Sequence, residues 1–186
     1  MVRRHAGWAI RALFALGFCI CTAQRIDAEC LISTPNGGGG GTFATPTSPA
    51  GQSFVACQNG FITNVAIWVG VSTQPVVTLG LQAGIDLLAP EYTATKVIPT
   101  GADRIRFTPM FPVTQGSVYS LSLTPASGSL SFAELPGSSY TEGSRIAVVG
   151  GQSVPLNTDI VFAVTITDGS VPSAAATWGK IKSIYR

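Results

Sequence analysis

Histidine is almost absent from this sequence. The one histidine, His5, lies in an N-terminal stretch that reads as an export leader, so the mature chain is expected to have none. Without it, neither a Ser-His-Asp or Cys-His arrangement nor a histidine metal site can be assembled. Charge is scarce too, at 11% of residues, and the net +2 comes from the two ends. Arg3, Arg4, Arg11 and Arg25 lie near the start, and Lys180, Lys182 and Arg186 near the finish. Between positions 31 and 172, seven acids (Asp86, Glu91, Asp103, Glu134, Glu142, Asp159, Asp168) face four cations (Lys96, Arg104, Arg106, Arg145), a balance of −3. No basic stripe crosses the body, which argues against nucleic acid as a partner.

No apolar run is long enough to span a bilayer, so no transmembrane anchor is expected. ALFALGFCICTA (residues 12–23) follows a cationic start and has the length of a signal-peptide core. Cleavage after Ala23 puts Cys21 at −3, and cleavage after Ala28 puts Ile26 there. Export to the cell surface or the medium is expected, with the periplasm as the alternative. Cys19 and Cys21 leave with the leader, whereas Cys30 and Cys57 remain. In an oxidising compartment that pair is expected to form a disulfide, with two free buried thiols as the alternative. Closing the loop would contribute about 3.5 kcal/mol by the chain-entropy relation. Redox spacing such as Cys-x-x-Cys is missing, so the bridge reads as structural.

What is plentiful is turn formers and apolar residues: 21 Gly, 12 Pro and 46% hydrophobic. This composition favours an all-β domain. NGGGGGTFATPTSPAG (residues 36–51) shows no patterned core face and reads as a flexible N-terminal arm. Its glycines are not followed by Lys-Ser/Thr and a helix start, so a phosphate cradle is not indicated. From Gln52 onward the residues alternate with period two. FITNVAIWVGV assigns Phe61, Thr63, Val65, Ile67, Val69 and Val71 to one face, and Ala66, Trp68 and Gly70 to the other. Val77, Leu79 and Leu81 follow the same rule, as do Ile105 and Phe107, and Tyr119, Leu121 and Leu123. Leu130 and Phe132, then Ile160, Phe162, Val164 and Ile166, complete the inward set, with Ser120 and Ser122 facing out. Eight or nine short strands with one apolar face each predict a two-sheet antiparallel β-sandwich of the jelly-roll kind.

The expected organisation is a signal peptide (1–28), an arm (29–51), the β-sandwich (52–169), then a linker and basic amphipathic tail (170–186). In the tail, Trp178, Ile181 and Ile184 recur at helical spacing beside Lys180, Lys182 and Arg186. Attachment or sorting is one reading of it. Covering an apolar patch on the sandwich is the other.

GQSFVACQNGFITNVAIWVG (residues 51–70), FPVTQGSVYSLSL (111–123) and TDIVFAVTI (158–166) occur in that order. They resemble a bacterial family of secreted jelly-roll modules with a "GQSF-A…G-ITSV" opening and a closing "D-[IL]-x-F-x-V" strand. That family is similar to galactose-binding-like and carbohydrate-binding sandwiches. The resemblance covers residues 51–166, implies the fold and an extracellular setting, and brings no catalytic residues.

A glycosidase would need only two carboxylates, but the acids fall near turns and strand ends, where solvated acids ordinarily lie. No catalytic residue is assigned. No cofactor is expected either, although calcium would suit loop carboxylates such as Asp86, Glu91 and Asp159. No Asp-x-Asp motif marks such a site. For ligands, Trp68 beside Gly70 offers a flat surface for a sugar ring, and Tyr92 and Tyr140 in loop-like stretches could add to it. Packing of Trp68 within the protein is the plainer alternative. The leading expectation is a non-catalytic exported sandwich that binds a surface glycan or another surface protein. A structural surface or matrix subunit assembling through strand edges or the tail comes second, and a carboxylate hydrolase third. The oligomeric state is left open.

Overall fold

Period-two alternation becomes strands throughout a computed structural model of the chain, which describes residues 29–35, 41–70, 76–137 and 139–169. The leader and the tail, with the expectations placed on them, lie outside the described residues. Among the described residues there are fourteen strands and no helix. One sheet runs β1 (Glu29–Ser33), β14 (Phe162–Thr167), β4 (Gly60–Trp68) and β7 (Arg104–Phe107), with β8 (Phe111–Val113) also paired to β4. The other main sheet has six strands, in the order β12 (Gln152–Leu156), β11 (Arg145–Val149), β3 (Ala50–Val55), β9 (Val118–Pro125), β5 (Val76–Ala83) and β6 (Tyr92–Val97). A short ladder of β13 (Thr158–Ile160), β10 (Leu130–Pro136) and β2 (Gly41–Ala44) extends the first sheet. The Val69–Phe132 bridge and a 2.9 Å hydrogen bond from Val161 N–H to the Ala133 carbonyl join them.

The two main sheets meet through their apolar faces, forming an all-β antiparallel sandwich. Leu79, Leu81, Leu121, Leu123, Ile160, Phe162, Val164 and Ile166 are all wholly buried, on the faces the alternation assigned them. Each such side chain stabilises the fold by roughly 1.5–3 kcal/mol relative to exposure. Aromatic rings stitch the sheets together: Phe54 of β3 lies 6.3 Å from Phe162 of β14, and Phe111 of β8 lies 6.0 Å from Tyr119 of β9. Gly150 and Gly151 both have positive φ, which the two-residue turn between β11 and β12 requires.

The sequence expectation needs three corrections. In β4 the register against β14 slips between Thr165 and Ile166, so Ile62 rather than Phe61 or Thr63 joins Val65 and Ile67 in the core. A β-bulge adds one residue and flips the face, which a strict two-residue count cannot anticipate. Second, residues 29–51 are not merely an arm. They supply β1, β2 and the start of β3, and Ile32, Ala44 and Ala50 are buried in the core. Pairing with β14 and β10 gives these short segments the partners that their own pattern does not advertise. Third, Ser120 and Ser122 do lie on the outer face of their sheet, yet they are 0% and 3% exposed. The connection 84–90 folds over that face. Pro90 packs near Gly80 and Ser122, Leu87 is buried beside Gly51, and Leu87 N–H donates to Ser153 Oγ at 2.8 Å.

Cys30 and Cys57 form the expected disulfide, with their Cα atoms 6.3 Å apart. It ties edge strand β1 to the turn between β3 and β4. Next to it, Gln58 Nε2 donates to the Ile166 carbonyl at 2.8 Å, so the turn is also fastened to β14.

Candidate functional site

The three aromatic candidates fall in different environments. Trp68 ends β4, is half-buried, and stands opposite Arg104 of β7 in the ladder register. The Arg104 guanidinium lies 5.3 Å from the centre of the indole, a cation–π arrangement that covers one ring face. Tyr92 opens β6 rather than sitting in a loop, and its ring lies 6.3 Å from Phe111. Tyr140 lies in the connection between β10 and β11, edge-on to Phe162 at 5.7 Å, and its hydroxyl accepts from Val55 N–H at 3.3 Å. Tyr92 and Tyr140 are thus the two ends of a chain of ring contacts running through Phe111, Tyr119, Phe54 and Phe162. Trp68 takes no part in that chain. Burial pushes the Tyr140 hydroxyl above the usual tyrosine range, the Val55 N–H opposes the shift, and Glu142 and Asp159 add to it.

The carboxylates named for calcium accept hydrogen bonds from nearby backbone and side-chain donors. Asp159 is wholly buried: Gln52 Nε2 donates to its Oδ1 at 2.9 Å and Tyr140 N–H to its Oδ2 at 2.8 Å. Gln52 in turn accepts from Ile160 N–H at 2.9 Å. Both residues belong to the motifs that carry the family resemblance, Gln52 to the opening and Asp159 to the closing strand, and here they are one another's partners across the sandwich. Asp86 Oδ1 accepts from Leu88 N–H (2.9 Å) and Ser153 Oγ (3.1 Å), and Glu91 Oε1 from Ala83 N–H (3.0 Å). Among the described residues no three His, Cys, Asp or Glu side chains come together as a metal-binding group.

Sequence reasoning missed a cleft of about 340 Å³ formed by the end of β6, the connection to β7, and β7 itself. Val97, Ile98, Pro99, Ala102 and Ile105 supply its apolar lining, and Lys96, Arg104 and Arg106 its charge, against one acid, Asp103. Alternation in RIRF buries Ile105 and Phe107 and leaves Arg104 and Arg106 exposed. Lys96 Nζ reaches from β6 to β7 and donates to the Arg106 carbonyl at 3.0 Å, which leaves its other N–H donors for a ligand. The signal was present in the sequence: three of the four cations between positions 31 and 172 fall within positions 96–106. Arg145, the fourth, is paired with Glu134 at 2.9 Å. Compared with known protein families and with curated proteins, the chain matches none.

Proposed function

We propose that this chain is an exported, non-catalytic β-sandwich that binds glycans at the cell surface or outside the cell, in adhesion or attachment. The observation that carries the reading is a cleft lined in part by Arg104, the residue stacked on the half-buried Trp68. An indole face suits the apolar C–H side of a sugar ring, and fixed N–H donors beside it suit the hydroxyls. The disulfide is consistent with an oxidising compartment, and no helix among the described residues is long and apolar enough to cross a membrane. The resemblance to secreted carbohydrate-binding-like sandwiches supports the same reading, as does a pair of cysteines engaged with each other rather than free as nucleophiles.

The test is a glycan array probed with the mature protein and with Trp68→Ala. Binding of a defined saccharide class that falls by more than about tenfold in the variant supports the reading, since stacking contacts are worth roughly 1–2 kcal/mol. A protein that binds no glycan and instead polymerises in size-exclusion chromatography would favour the structural subunit.

A further inference from the structure

We infer that the cleft between β6 and β7 is a subsite for an acidic saccharide, one that carries carboxylate or sulfate groups. The inference deepens the glycan-binding reading and rests on it. Charge in this molecule is segregated. The cleft holds three cations and one acid, whereas the rest of the span from 31 to 172 holds one cation, Arg145, and six acids. A net-positive cleft on a span that is otherwise acidic favours the approach of an anionic ligand to that place.

Geometry agrees with charge. Arg104 and Arg106 are two apart on one strand and therefore project from the same face, about 7 Å apart along it. A uronic-acid or sulfated chain carries its anions at intervals of one or two sugars, a spacing that two such residues can follow. Arg104 is already held against Trp68, so its planar fork is oriented before the ligand arrives and loses little freedom in gripping a carboxylate or sulfate through two N–H bonds. Lys96 is positioned from the opposite strand by its bond to the Arg106 carbonyl. Val97 is 67% exposed at the end of β6 and gives the ring of a bound sugar an apolar floor. A neutral saccharide would leave the net charge of three cations and one acid in the cleft uncompensated.

Calorimetric titration of the mature protein with a galacturonate oligosaccharide and with the uncharged galactose oligosaccharide of equal length tests this. The acidic ligand should bind at least about tenfold more tightly at low salt, and the preference should shrink towards about 0.5 M salt, where exposed charges are screened. Lys96→Gln/Arg106→Gln should weaken the acidic ligand by roughly three- to tenfold and leave the neutral one unchanged. Arg106→Gln alone, which spares the Lys96 bond, should show part of the same loss, and unchanged melting temperatures certify the fold. Equal affinity for the two ligands, or an acidic-ligand affinity indifferent to both variants, overturns the inference while leaving glycan binding intact. If neither ligand binds and the glycan array is also blank, the glycan reading itself falls, and the subsite with it.

Discussion

At the scale of single residues, the most consequential contact joins Gln52 to Asp159. A wholly buried carboxylate with neutral donors on both oxygens is stable only while those donors are present. Gln52→Ala removes one donor to Asp159 and the acceptor for Ile160 N–H. It is expected to cost about 2–4 kcal/mol, because stranded buried partners carry their full desolvation penalty. At about 3 °C per kcal/mol for a chain of this size, the melting temperature should fall by roughly 6–12 °C in a thermal scan. A second residue-scale effect concerns pH. The Tyr140 hydroxyl is raised by burial, so the folded state keeps its proton where the unfolded chain has lost it. The associated stability is complete below pH ~10, the unfolded value, and is lost as pH rises from there through the folded value. Tyr140→Phe should therefore flatten the fall in denaturant midpoint above pH ~10 relative to the unmodified protein. An identical slope in both proteins would assign the alkaline loss to other groups.

At the scale of elements, the disulfide and the outer-face connection decide what is rigid. β1 is an edge strand whose ladder partner is β14, and the bridge fastens it to the β3–β4 turn across a separation of 27 residues. Cys30→Ser/Cys57→Ser should lower stability by up to about 3.5 kcal/mol, the chain-entropy figure for a loop of this length. Hydrogen exchange should then show the amides of β1 protected least, ahead of β14 and β4. Protection of β1 equal to that of β4 would mean that strand pairing alone holds it. For the C-terminal tail, which lies outside the described residues, the expectation of an address is testable by truncation. Removal of residues 177–186 should leave the melting temperature unchanged and misplace the protein in cell fractionation. A melting point several degrees lower with normal placement would assign the tail to the fold.

The strands that proved easiest to read were those buried on one face only, such as β7 and β14, where Ile105, Phe107 and Phe162 mark the core unaided. Where the rule failed, the cause lay beyond a local window. The slip in β4 depends on its pairing with β14, and the covered Ser120 and Ser122 depend on a connection that crosses the sheet from 84–90. β1 and β2 are strands because distant partners complete them. The candidate site was legible residue by residue but not as a place. Trp68 stands out in the sequence for its own chemistry, yet what gives it meaning is Arg104, its register neighbour 36 residues further along the sequence, as an antiparallel ladder allows.

At the scale of the whole molecule, a sandwich held by interior contacts carries its candidate site at the surface, where β6 meets β7. A weakly acidic body carries a cationic cleft, and beside it a tryptophan with a guanidinium on one face. Binding at that place is the central claim, and it concerns location as much as affinity. The direct measurement is a nuclear magnetic resonance titration of ¹⁵N-labelled mature protein with a galacturonate oligosaccharide. Saturable shifts confined to the Trp68 indole N–H and to the amides of residues 96–106, absent from the same titration of Trp68→Ala, are the predicted result. Shifts centred on Tyr92 or Tyr140, or no saturable shift at all, would contradict it.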